Sequence, residues 1–459
     1  MKKFAALLCL CLMATLLGGC GSPDPSQAPA TPESASQREA ELLSLTQTIC
    51  DELSRGDYAA VTQRLDESLT DQLTDADLAE GWQDSLDSMG GFKAFGETTV
   101  TETAKGWFSE TPIECGAGTL LLQLGFTENN ALTMIYISVS QTPEATPIDA
   151  VLPDTLQEQG VTLSADPDYP LEGTLTLPKD AMSPLPAVIL VHGSGPCDRD
   201  ETVGANKPFR DLAWGLAQQG MAVLRYDKRT YTYGDVLEQS DLSEFTVQQE
   251  TMDDALAAAR LLRENGAIDP ERVYILGHSM GAMLAPSINE EGSFAGIIML
   301  AAPARPMWEV SYEQNLALLD GLSEEETREQ RELLQAELEK GRELAAMSDA
   351  EAKKETLFGM CAYYFKNMDT YLPAAILKDI QKPVLLLQGE EDFQVSPEND
   401  FTVFEDLAKT NAYLETKRYP GLNHLFMPSN GSKTVAEYSV PSQMDETVIQ
   451  DIAYFINTH

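Results

Sequence analysis

From about residue 158 onward the chain is organised around runs that are continuously apolar over most of their length. They are AVILVHG (187–193), AVLRYD (222–227), VYILGHS (273–279), AGIIMLAA (295–302) and PVLLLQG (383–389), followed by AYLETKRYP (412–420). A strand with one face in water alternates apolar and polar residues, whereas a run with no polar face belongs to a strand covered on both sides. Helical stretches lie between the runs, clearest at 247–263, where Met252, Ala255, Leu256, Ala259 and Leu262 share one face. Such strand–helix alternation predicts a doubly wound, mostly parallel α/β sheet. Residues 161–163 and 173–177 read as a hairpin that opens it.

One interval breaks the rhythm. Residues 306–380 separate neighbouring strands by far more than a single crossover helix requires. The middle (SEEETREQRELLQAELEKGRELAAMSDAEAKKE) is charged and helical, and the end (LFGMCAYYFKNMDTYLPAAIL) is apolar and aromatic. An amphipathic helical block inserted late in such a sheet is expected to cap a site.

The region ahead of the sheet has a different character. Lys2 and Lys3 precede an apolar run over 4–17 and then Leu17-Gly18-Gly19-Cys20. That run is short of the ~20 residues a spanning helix needs. It reads as a secretory signal over 1–19, with small residues before a cysteine as in a bacterial lipobox, so that Cys20 carries lipid. Residues 21–37 (GSPDPSQAPATPESASQ) hold four prolines and neither Lys nor Arg, the composition of a flexible tether. An extracytoplasmic protein anchored to a bacterial membrane by lipid is the expectation.

Residues 38–140 read as a small α+β domain. Leu42, Leu45, Ile49 and Leu53 fall at helical spacing, a second helix starts near Tyr58, and 120–124 and 134–139 read as strands. Gly56-Asp57-Tyr58, Trp82 and Gly90-Gly91-Phe92 give this stretch a resemblance to the DUF3887 domain, which implies a cone-shaped NTF2-like fold. Residues 141–157, with three prolines, form the expected linker to a domain over 158–459.

Charge narrows the partners. With 31 Lys+Arg against 73 Asp+Glu the formal net charge is −42, and phosphate backbones or anionic lipid surfaces would repel such a chain. Nucleic acid is therefore excluded as a partner, and membrane contact is expected through the anchor alone. Cys9 and Cys11 leave with the signal; Cys50, Cys115, Cys197 and Cys361 show no metal-binding spacing. Cys50 and Cys115 fall within one domain and either pair or stay as buried thiols, so no bridge is assigned.

The chemistry-bearing motif is Gly277-His278-Ser279-Met280-Gly281, a G-x-S-x-G directly after a buried strand and before a small-residue helix. That context is the strand–turn–helix of a nucleophile elbow, where glycines relieve crowding and the turn lifts the hydroxyl clear of the sheet. A serine hydroxyl needs a base, and there are four histidines. His192 ends a strand, His278 sits inside the elbow and His459 is the C-terminus, which leaves His424 in the loop after the last strand. An acid must hold that imidazole in the right tautomer. Asp392 is favoured over Glu390 and Glu391 by the order Ser, Asp, His and by the pattern Gly389-x-x-Asp392-x-x-Val395. An oxyanion hole needs backbone N–H donors: Met280, next after the nucleophile, and Ser194 in His192-Gly193-Ser194-Gly195-Pro196, with Gly193 or Gly195 as alternatives for the second.

HGSGPCDRDE (192–201), NKPF (206–209) and LRYDKR (224–229) make residues 158–459 similar to the α/β-hydrolase superfamily, and within it to EstD-type bacterial esterases. The resemblance implies carboxylic ester hydrolysis through an acyl-enzyme, with Ser279, Asp392 and His424 as triad and no metal or organic cofactor. The run 198–201 (Asp-Arg-Asp-Glu) reads as a salt-bridge network at the mouth, with substrate contact as the lesser reading. Nothing in the insertion defines the acyl or alcohol group. A peptidase or thioesterase using the same triad, and a non-catalytic binding lipoprotein, are the alternatives.

Overall fold

The computed structural model describes residues 32–459 apart from 71–72, 104–105, 117–118, 128, 140–149, 181–183 and 320–323. Cys20, the signal stretch and most of the linker lie outside the described residues. The chain divides into two compact units between residues 142 and 143.

In the first unit the helix Pro32–Ser54 and the helix Asp75–Ser88 accompany an antiparallel sheet. Its strand Gly106–Cys115 pairs with Phe92–Phe95, Thr99–Thr103 and Thr119–Phe126, and Leu132–Val139 completes the sheet. Leu42, Ile49 and Leu53, at helical spacing, meet Trp82, Leu122 and Leu124 in one core. Two of these strands are legible as apolar runs. The other three are not, because 99–103 (TVTET) is polar and Pro112 interrupts 106–115 (GWFSETPIEC), and proline lacks the ladder N–H. Cys50 and Cys115 are both buried in this core and both free thiols.

The second unit is built on eight strands. In chain order they are β1 (Leu156–Leu163), β2 (Leu171–Pro178), β3 (Leu185–Val191), β4 (Ala222–Tyr226), β5 (Ile268–His278), β6 (Ile297–Leu300), β7 (Val384–Gly389) and β8 (Leu414–Tyr419). The sheet order is β8-β7-β6-β5-β3-β4-β2-β1. The pairs β1–β2 and β2–β4 are antiparallel and the remaining pairs parallel. The hairpin already begins at Leu156, inside the segment expected to be linker.

Every residue of β3 is buried. Ile189 and Val191 join the core on one face, where Val273, Met283 and Ile288 pack; Val188 and Leu190 join the other, with Phe209, Leu212, Val448 and Ile452. Helix α1 (Pro208–Gln218) covers the latter face, and α2 (Asp253–Glu264) and α3 (Met280–Gly292) cover the former. Each fully buried aliphatic side chain contributes ~1.5–3 kcal/mol, so the absence of a polar face in these runs is what places the strands at the centre.

The chain leaves β3 for β4 on one side and later returns to β5 on the other. That reversal opens a crevice at the carboxyl ends of β3 and β5, the usual place for a site in an open α/β sheet. Between β6 and β7 stand α4 (Met307–Ala317), α5 (Glu324–Glu343) and α6 (Ala362–Met368). Trp308, Leu338, Tyr364, Phe365 and Met368 from this insertion join the core on the α2–α3 face. The apolar, aromatic end of the interval is thus a packing surface, while much of the charged middle faces solvent.

Candidate active site

Ser279 stands between the last residue of β5 and the first of α3, with φ 53° and ψ −119°. A non-glycine residue there costs about 1–3 kcal/mol and persists only where its surroundings enforce it. The Ser279 N–H donates to Leu300 O at 2.9 Å, and its carbonyl accepts from Met283 N at 3.0 Å. The flanking glycines are explained by space. A Cβ on Gly281 would collide with Val191 O, and one on Gly277 with Gly281 O. Register does the rest: Gly277 pairs with Val191, so the residues that follow β5 and β3 emerge side by side. A Cβ on Gly193 would lie 3.2 Å from Ser279 Cβ.

Asp392 follows β7, and its carboxylate is fully engaged. Oδ1 accepts from the N–H groups of Gln394 at 2.8 Å and Val395 at 2.9 Å; Oδ2 accepts from Gln388 Nε2 at 2.8 Å and from His424 Nδ1 at 2.7 Å. An ionised carboxylate only accepts, so this bond assigns the proton to Nδ1 and leaves Nε2 as the basic nitrogen. Of the two neighbouring acids, Glu390 is exposed and Glu391 pairs with Lys433 at 3.0 Å. The structure brings Asp392 and His424 into direct contact. It holds His424 against the residue preceding Ser279: His278 Nε2 donates to His424 O at 3.0 Å, and the two rings are 4.6 Å apart. Ser279 is 8% exposed and His424 3%, so the site is covered.

At the turn after β3 the Gly193 N–H donates to Glu201 Oε1 at 2.7 Å, which removes it from the possible oxyanion donors. Among the described residues the N–H groups of Ser194, Gly195 and Met280 have no acceptor, so of the alternatives at this turn only Gly193 is removed. For Met280 the reason is that it opens α3, where the first amides have no intrahelical partner and the helix dipole is positive. The Ser194 hydroxyl is buried and also unpartnered among the described residues.

Two further residues matter here: Glu201, the last of the run 198–201 expected to form salt bridges, and His278 inside the elbow, for which the sequence offers no partner. Together they form a buried pair, Glu201 Oε2 to His278 Nδ1 at 3.0 Å. Burial opposes both charges, but mutual attraction outweighs it, raising the histidine and lowering the acid from their ordinary values. The rest of 198–201 is structural. Arg199 pairs with Asp227 at 2.6 Å, and Asp200 pairs with Lys207 and Arg225. Gln388, which orients Asp392, likewise has no signal in the sequence.

A hydroxyl on a strained turn, an imidazole fixed by a carboxylate, and unclaimed backbone N–H groups in the elbow and in the turn after β3 are what acyl transfer uses. Among the described residues no group of three or more His, Cys, Asp or Glu is arranged to hold a metal ion.

Residues 188–438 match the alpha/beta hydrolase family. The chain is 38% identical over 310 residues to esterase EstD of Thermotoga maritima, an alignment covering 66% of this chain and 68% of that one. Among solved structures it is similar to Est1E from Butyrivibrio proteoclasticus, at 15% identity over 65% of this chain and 99% of that chain, with a TM-score of 0.42. An esterase of Pyrococcus furiosus matches at 16% identity over 70% and 99%, with a TM-score of 0.41.

Proposed function

The chain belongs to the alpha/beta hydrolase family and is a carboxylic ester hydrolase, and from that premise we propose that Ser279, His424 and Asp392 carry the reaction. The observation that carries this reading is the 2.7 Å bond from His424 Nδ1 to Asp392, with His424 packed on His278, the residue before a serine held at positive φ between strand and helix. Ser279 Oγ attacks the ester carbonyl as His424 Nε2 takes its proton. The charge that develops on the carbonyl oxygen is met by the N–H groups of Met280 and Ser194, each such donor being worth ~10²–10³ in rate. His424 then protonates the leaving alcohol, and an acyl group stays on Ser279. In the second half, water gives its proton to His424 and attacks the acyl carbon, releasing the acid and restoring the serine. Asp392 stabilises the imidazolium in both halves and stays ionised.

The same proposal extends to the N-terminal region. Residues 38–140 are taken as a DUF3887-like, NTF2-like spacer, and Cys20 as the lipidated residue that holds the protein at a bacterial membrane surface. The antiparallel sheet accompanied by one long helix supports the spacer, and Leu17-Gly18-Gly19-Cys20 after an apolar run supports the anchor.

The decisive experiment is hydrolysis of p-nitrophenyl acetate, butyrate and octanoate by the chain from residue 38 onward, with its Ser279→Ala variant alongside. Turnover by the parent is expected to fall by at least ~10⁴-fold in the variant, together with loss of fluorophosphonate labelling. Labelling without ester turnover would move the substrate to amides or thioesters. Undiminished turnover in Ser279→Ala would overturn the triad.

A further inference from the structure

Lys228 lies in LRYDKR, just after β4, a motif to which the reaction above assigns no role. Its side chain is 2% exposed, and the buried ammonium has three partners. Nζ donates to Gly193 O at 2.8 Å and to Gly195 O at 3.0 Å, and it pairs with Glu250 Oε1 at 2.6 Å. Glu250 Oε2 in turn accepts from the Tyr364 hydroxyl at 2.5 Å, and that hydroxyl lies 3.7 Å from Met280 Sδ. Tyr364 stands on α6 of the insertion. A buried ammonium costs several kcal/mol unless paired and hydrogen-bonded. One carboxylate meets the charge, yet the two other partners are carbonyls of the turn that carries the Ser194 N–H.

That choice has a geometric consequence. The Gly193 carbonyl and the Ser194 N–H belong to one peptide unit, which is planar and trans, so they point in opposite directions. Fixing the carbonyl on Lys228 aims the N–H the other way. The preceding amide of the same turn is fixed independently, because the Gly193 N–H is held by Glu201. An ammonium on the carbonyl also draws electron density through the amide and makes its N–H a stronger donor. We propose that Lys228 is a positioning residue of the oxyanion hole. It acts through the Gly193–Ser194 peptide to orient and polarise the Ser194 N–H, with Glu250 and Tyr364 tying it to the helical insertion. The inference rests on the serine esterase reading above.

A residue that acts only on the oxyanion should matter in the transition state and not in ground-state binding. In the full chain, Lys228→Met is expected to lower kcat on p-nitrophenyl butyrate by ~10–100-fold. KM should change little. Affinity for a trifluoromethyl ketone, which adds to Ser279 Oγ and places its oxyanion in the hole, should weaken by about the same factor. Because this variant strands a buried carboxylate, Lys228→Met/Glu250→Gln is measured beside it. It should melt nearer the parent temperature yet stay slow, since nothing then holds the Gly193 carbonyl. Tyr364→Phe keeps both carbonyl contacts and should show a smaller loss of kcat at unchanged KM. Recovery of kcat along with melting temperature in the double variant would overturn the proposal, as would KM and ketone affinity weakening together. Lys228→Met at parental kcat would do the same. Ser279→Ala in the same assay separates the two readings. If it is inactive while Lys228→Met is unimpaired, only the role of Lys228 falls; if it is active, the triad itself falls.

Discussion

His192 is fully buried between Phe209 and Tyr226, and its Nε2 donates to Asp198 O at 3.1 Å. Burial, helped by the nearby Lys228 charge, outweighs the pull of Glu201 and pushes this imidazole down to about 4. Its ordinary value is about 6.5. Between those limits the unfolded chain binds a proton that the folded chain refuses, so stability falls as the pH drops from neutral towards 4. The loss from this one group amounts to about 3 kcal/mol at pH 4. Urea unfolding at pH 7 and pH 4.5 should show most of that difference in the parent and a smaller one in His192→Gln. An equal acid loss in both would contradict it. His278 has the opposite sign. Its raised value supports the folded state below about 6.5 and withdraws that support as the pH climbs through the folded value. Two buried histidines flank one site with shifts of opposite sign, and the difference is Glu201 in direct contact with His278.

At the scale of elements the strand–turn–helix β5–Ser279–α3 is the most constrained junction. Gly281→Ala drives a methyl into the Val191 carbonyl, a backbone atom that cannot rotate away. It is expected to cost at least ~2–3 kcal/mol, read as a lower urea midpoint at constant slope. Gly195→Ala is the informative contrast: its Cβ would meet nothing within 4 Å, but φ is 82°. Only the left-handed conformation is penalised there, by ~1–2 kcal/mol. A Gly281→Ala protein as stable as the parent would show that the elbow can relax. This element is legible because it joins an apolar run, a G-x-S-x-G and a small-residue helix within contiguous sequence. Strand 106–115 is not, because its pairing partners and not its own pattern make it a strand.

For the whole molecule the division of labour is sharp. Ser194, Lys228, Ser279, Met280, Asp392 and His424 all lie in the second unit, whose cores are closed by its own strands and helices. Three chains test that division: the full length, its Cys20→Ala variant, and residues 150–459. All three should share kcat/KM on p-nitrophenyl butyrate, while only the full length incorporates labelled palmitate and sediments with membranes. A shorter chain that folds but loses activity would give the N-terminal unit a role in the reaction, and a Cys20→Ala chain still labelled would move the anchor. Apolar periodicity determined the sheet, and local motif plus order along the chain determined Ser279, Asp392 and His424 as candidates, since those signals are contiguous. Tertiary structure alone decided which amide at 193–195 is engaged, and that Glu201, Lys228, Glu250 and Tyr364 surround it. These are polar contacts between residues 8 to 114 positions apart. A buried polar group takes whatever partner the fold brings within ~3 Å, and no periodicity along the chain encodes that meeting.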